Sequence, residues 1–393
     1  MFYGMEWRII KAAVWYKLIA IIIIYICTTI IPSFDSSADI ILSDESNSFI
    51  RALTKPLLRW DTFHFANRAT RESSTWKWDY EVAFMPLLPL IMRFGGKLLS
   101  KVRMSAISYS DVILGGALFT NIISLLIPLE LYRLTRVTFP HMKAQRAALP
   151  VMIMLACTLS PPSLIAPYTE AVYAPLSLML ARLVKEEKWG RAYVVAFLAG
   201  SVRANGFFLG GFFIYQALLF PLLEKRQIPS NLVSRIIITA LGLLASFTPF
   251  VYTQFEAYQR LCPGDDFCNN FIPIAYNHVQ KRYWDNGFLS YWTLQQIPNF
   301  AISFPIYLMS FRALKEKITL NTLPHYILHL VIILTLLFYS NVQIALRFST
   351  ALPLLWWHVA SNENEGIPKA FIMWSQTWSV VSCILWSVFL PPA

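Results

Sequence analysis

Residues Ala12–Ile31 read AAVWYKLIAIIIIYICTTII, with Lys17 as the one charged side chain. About 20 such residues are enough to cross the hydrocarbon of a bilayer. Arg8 and Lys11 stand before the stretch, as they would in a secretory signal. Its end, Thr28-Thr29-Ile30-Ile31-Pro32, lacks the small-x-small pattern of a cleavage site. The stretch therefore reads as an uncleaved first span with the N-terminus in the cytosol.

The rest of the chain agrees with that reading. Of 393 residues, 56% are hydrophobic and 14% charged, against about 45–50% and about 25% in soluble domains. This composition excludes a soluble globular enzyme, a disordered chain, collagen, a coiled coil and a disulfide scaffold. Further apolar stretches lie near 111–132, 147–161, 164–183, 192–204, 207–223, 236–255, 299–311, 324–341, 344–360 and 370–390. The expected fold is an all-α polytopic membrane protein with about eleven spans in one unit over 1–393. Val82–Phe94, with Pro86 and Pro89, is too short to span and reads as a re-entrant or interfacial segment.

The formal net charge of +11 would suggest nucleic acid in a soluble protein, but membrane proteins carry excess Lys and Arg on cytosolic loops. Clusters at 133–146, 182–191, 225–235 and 312–317 fall on one side if the spans alternate. The chain has no zinc-finger spacing and no long basic run, so nucleic acid is not expected as a partner. Two long segments, about 32–110 and 256–298, then face away from the cytosol.

The residues suited to chemistry gather on that far side. Asp61 sits among Trp60, Phe63, His64 and Phe65. It reads either as a helix cap on a membrane-surface segment or as a general base in a partly apolar pocket. Glu81 reads as a second acid or, better by spacing, as a cap on the helix that follows. Arg203, at a break in a long apolar run, and Arg347, at a similar turn, are intramembrane cations, which mark functional sites by default. Their bland reading is snorkelling to the interface. Glu170 can pair with one of them. Cys262 and Cys268 share the second long loop, where an oxidising compartment would allow a local disulfide. A zinc site there is less well supported. Cys27, Cys157 and Cys383 lie in spans as packing residues. The histidines show no metal-ligand spacing and no cofactor is expected, while dependence on a divalent metal is left open by the sequence.

Several segments, in order along the chain, resemble the GPI mannosyltransferase 2 (PIG-V) family. They are Trp60-Asp61 with Phe65, Tyr80-Glu81-Val82-Ala83-Phe84-Met85-Pro86, Ser160-Pro161, Pro167-Tyr168-Thr169-Glu170 and Arg203-Ala204-Asn205-Gly206. The most specific are Tyr283-Trp284 with Gly287-Phe288 and Gln296-Ile297-Pro298-Asn299-Phe300, with Arg347-Phe348 beyond them. Met85, Asp285-Asn286 and Phe267 depart from the family pattern.

This resemblance implies a GT-C type bundle in the endoplasmic reticulum membrane. The implied activity is inverting transfer of mannose from dolichol-phosphate-mannose to a GPI precursor, adding the second mannose in α-1,6 linkage on the luminal side. Asp61 would be the base, with Arg203 and Arg347 on the donor phosphate. Trp60, His64, Glu81, Glu170, Asn205, Tyr283, Trp284 and Asn299 would line the substrate groove. Fungal members work with a small membrane partner subunit, so one is expected here. Another mannosyltransferase of the same fold, acting on N-glycans or proteins, is the nearest alternative. A polytopic lipid transporter is a more distant one, since the chain lacks the repeated halves common in transporters.

Overall fold

The computed structural model describes residues 2–71, 76–226 and 231–391, and among them helices account for all regular structure. Helix α1 (Phe2–Ile30) carries the apolar stretch that opened the reading. Many of its side chains, including Trp15, Ile19, Ile22 and Ile26, are exposed. A helix apolar all round with an uncovered face is suited to lipid.

Among the described residues, four helices are long and apolar enough to cross a membrane: Gly4–Ile30, Tyr109–Thr138, Ala204–Lys225 and Leu232–Leu261. The other expected spans are shorter or less apolar. The stretch at 344–360, for example, divides into Ile344–Phe348, a 3-10 turn and Pro353–Ser361. The break expected near Arg203 is present, because one helix ends at Val202 and a 3-10 turn begins at Ala204.

The long segment 32–110 is mostly helical rather than a loop. It includes α2 (Asp61–Thr70) and α3 (Leu87–Arg103). The expected short segment Val82–Phe94 is thus corrected. After a 3-10 turn at Asp79–Ala83, Pro86 leads into a helix that continues past Phe94 to Arg103. Its exposed apolar residues, Leu90, Phe94, Leu98 and Val102, recur every four positions and form one outward stripe. Its other face packs on α4 (Tyr109–Ser124). A Cβ on Gly95 would lie 2.5 Å from the carbonyl carbon of Gly115, so glycine is required for the two backbones to touch.

The middle of the bundle is α5 (Thr169–Lys185), whose residues are nearly all buried. It packs against α4, against Leu126–Thr138 and against α6 (Trp189–Val202). Helix α7 (Leu232–Leu261) buries Thr239, Gly242, Ser246, Pro249 and Thr253, a stripe of small residues at helical spacing. The two long segments then meet each other. Val82 joins Ala257, Phe267, Ala275 and Val279 in a small separate core. It includes α8 (Ala275–Trp284), and the Cys262–Cys268 disulfide closes the turn between α7 and α8.

Candidate active site

Asp61 opens α2 and does not act as a side-chain cap. The residue before it, Trp60, has φ 48°. A bulky residue holds this backbone geometry only when its surroundings enforce it. The enforcement is visible on both sides. Arg59 is fully buried, and its guanidinium donates to the carbonyls of Trp386 (3.3 Å) and Ser387 (3.1 Å) in the C-terminal helix. The Tyr168 hydroxyl accepts from the Asp61 N–H at 3.1 Å and donates to the Arg59 carbonyl at 3.1 Å. It thereby bridges the backbone on either side of Trp60.

The Asp61 carboxylate faces a chain of alternating charges. Arg347 donates from Nη1 to Asp61 Oδ2 (3.2 Å) and from Nε to Glu170 Oε1 (3.0 Å). Arg203 Nη1 donates to the same Glu170 oxygen at 2.7 Å and to Thr169 Oγ1 at 2.9 Å. Glu170 therefore holds both arginines, not one, and neither is an unpaired cation. The Asp61 side chain is 33% exposed and that of Glu170 2% exposed. A substrate can reach the first carboxylate and not the second. Arg347 also lies over the Tyr168 ring at 5.4 Å, and Arg203 over Phe348 at 5.1 Å.

These groups border a cavity of about 910 Å³ whose wall includes Trp60, Asp61, Arg203, Asn205, Trp284 and Arg347. Asp61 is the single carboxylate in that wall among the described residues.

Other residues expected to line a groove lie elsewhere. Glu170 is behind the arginines. Glu81 is neither a second cavity acid nor a cap: it is buried against Arg71 and accepts the Lys77 N–H at 3.0 Å. His64 is packed between Phe84 (4.7 Å) and Tyr80 (5.2 Å). Burial lowers its pKa below the ordinary imidazole value, against the opposing pull of Asp61 and Glu81. Tyr283 points away, donating to Asp79 at 2.6 Å. Asn299 donates to Tyr291, whose hydroxyl donates to Gln343 on the cavity wall, so it stands one bridge back. For His64, Glu170 and Tyr283 the adjacent residue on the same helix, Phe65, Thr169 and Trp284 respectively, faces the cavity instead.

Tyr168, Arg59 and Gln343 are functional residues that the sequence alone does not mark. Gln343 precedes Arg347 by one helical turn, and that spacing is the signal that could have found it.

An all-helical bundle of this shape occurs in the oligosaccharyltransferase of Archaeoglobus fulgidus, whose crystal structure aligns over 97% of this chain with a TM-score of 0.50 and 13% identity. The likeness is one of fold, and the chain spans about half the length of that enzyme, 53%. Residues 6–319 match the model of the family described as mannosyltransferase (PIG-V), and the chain belongs to that family. It is 31% identical to GPI mannosyltransferase 2 of Schizosaccharomyces pombe, over 95% of this chain and 82% of that one. It is 28% identical to GPI mannosyltransferase 2 of Cryptococcus neoformans, over 92% and 93% of the two chains.

Proposed function

We propose that this chain is a GPI mannosyltransferase of the endoplasmic reticulum membrane, with its N-terminus in the cytosol and its cavity on the luminal side. Its donor is dolichol-phosphate-mannose, and its product carries a second mannose in α-1,6 linkage. The observation that supports this reading best is that Asp61 is, among the described residues, the single carboxylate beside cations on the cavity wall. Glycoside hydrolysis uses two carboxylates, one of which protonates the leaving oxygen. A phosphate leaves without that help, so one base is enough.

In this reading the acceptor 6-hydroxyl attacks C1 of the mannose. Its proton passes to Asp61, and the bond from C1 to the phosphate oxygen breaks. The electron pair leaves with dolichyl phosphate, and one displacement inverts the β-linked donor to an α-linked product. The charges of Asp61, Arg347, Glu170 and Arg203 balance before reaction. Once Asp61 is protonated, Arg347 loses one anionic partner at the moment when the phosphate gains charge. Proton transfer and stabilisation of the leaving group are thus coupled through one guanidinium. No metal ion takes part in this scheme, and a small membrane subunit is the expected partner.

Depleting the protein from microsomes supplied with labelled dolichol-phosphate-mannose should cause the GPI intermediate with one mannose to accumulate. Accumulation of an N-glycan precursor instead would assign the chain to another pathway. The luminal placement has its own check, since the sequence contains no Asn-x-Ser/Thr sequon. A sequon introduced near Ser46 or Asp265 should be glycosylated, and one near Met142 or Glu187 should not.

A further inference from the structure

Among the described residues, the cavity wall holds one cation that the ion-pair chain does not use. Tyr276, Asn277, Gln280, Lys281 and Trp284 all line the cavity. Their spacing of one, three, one and three residues puts them on a single face of α8. The helix is held in place by its other sides. Ala275 and Val279 are buried in the small core with Val82 and Phe267. Arg282 and Tyr283 are tied to Asp79 at 3.3 and 2.6 Å. Between them these contacts leave the remaining face turned to the cavity. Lys281 on that face is exposed and has no ion pair among the described residues. By contrast, Arg203 and Arg347 are both compensated by carboxylates.

We propose that Lys281, with the amides of Asn277 and Gln280 beside it, forms an anion subsite that binds the phosphate diester of a lipid-linked substrate. An ammonium acts as a point charge on phosphate, and amides together with an aromatic ring suit the hydroxyls and face of a neighbouring sugar. Both substrates of the reading above carry a phosphate diester: the donor in its dolichyl-phosphate linkage and the acceptor in its phosphatidylinositol. The proposal rests on that reading for the identity of the lipids, and Lys281 supplies a charge that no carboxylate among the described residues offsets.

The test is a set of Lys281 variants in the purified full chain, with KM measured separately for donor and acceptor. Lys281→Glu should raise the KM for one of the two lipids by about tenfold or more, the size expected for a lost charged hydrogen bond, and Lys281→Arg should restore most of it. A rise for the acceptor assigns the subsite to phosphatidylinositol; a rise for the donor assigns it to dolichyl phosphate. Unchanged KM values for both would overturn the proposal. If the wild-type chain transfers no mannose at all, the functional reading fails and the subsite is judged by binding alone. Dolichyl phosphate or phosphatidylinositol should then raise the melting temperature of the wild type more than dolichol or diacylglycerol does. Lys281→Glu should abolish the difference. No phosphate-specific stabilisation in the wild type, or the same stabilisation in Lys281→Glu, would remove the subsite.

Discussion

Glu130 and Glu170 are both buried, and each lies between two arginines, but the two clusters have different surroundings. Glu130 accepts from Arg133 at 3.1 Å and from Arg182 at 2.7 Å. Beyond those arginines come Glu6, Glu186 and Lys188, so this network ends at partly exposed side chains, Lys188 being 49% exposed, and includes no residue of the cavity wall. Glu170 accepts from Arg203 and Arg347, and the network beyond them ends at Asp61 on a cavity wall. Glu170 and Arg182 belong to the same helix, α5, about 18 Å apart at 1.5 Å per residue. One helix therefore carries an ion cluster at each end, and only the second borders the cavity. The comparison shows that a buried Arg–Glu–Arg arrangement does not by itself mark a site. What distinguishes the second cluster is that its last member is a carboxylate on a cavity wall.

The sharpest way to break the comparison is to remove the carboxylate on the cavity wall. Asp61→Asn keeps the shape and leaves a partner for Arg347, yet it should lower mannose transfer by about 100-fold or more, the usual size of a general-base contribution. Normal glycosylation of an introduced luminal sequon would show that the variant inserts correctly. Near-normal turnover would reduce Asp61 to a structural partner and make the two clusters equivalent.

Matched changes in the two central acids come next. Removing one partner of a buried ion pair costs about 3–5 kcal/mol, so both Glu130→Gln and Glu170→Gln should lower the melting temperature of the purified chain. Only Glu170→Gln should also lower the rate per folded molecule, because it frees both arginines beside the base. A similar loss of rate in Glu130→Gln would show that the cluster away from the cavity is coupled to catalysis.

Arg203→Gln and Arg347→Gln should raise the KM for dolichol-phosphate-mannose by about tenfold, with a smaller effect on the acceptor, because a guanidinium can hold two phosphate oxygens at once. Unchanged donor saturation in both variants would place the phosphate elsewhere. The smallest effect is expected for Tyr168→Phe. It removes a hydroxyl that bridges the backbone around Trp60, at a cost of about 1 kcal/mol of net hydrogen bonding. We expect a fall of several-fold in kcat with both KM values unchanged. A shift in KM instead would mean that Tyr168 touches substrate rather than positioning Asp61.

The sequence by itself determined the membrane class, the family and the residue types of the site. Apolar stretches long enough for a bilayer cannot be buried in a soluble core, so Ala12–Ile31 and the composition settle the class without coordinates. Asp61, Arg203 and Arg347 stood out because each is a charge that an apolar setting must justify. Tertiary structure decided which of these charges meet. Glu170 could pair with either arginine by sequence, and only the packing of α5 against its neighbours brings both to one carboxylate oxygen. The facing of each helix was the least legible. Glu81, Tyr283 and Asn299 carry the family resemblance, and His64 stands within one of its segments, but all four lie outside the cavity wall, whereas Lys281, which no motif singled out, faces it. The reason is geometric. Along a helix one residue changes direction by about 100°, so a motif tells which helix borders a site but not which of its faces is turned inward. That orientation comes from contacts between segments distant in sequence, here the small core that joins Val82 to α8.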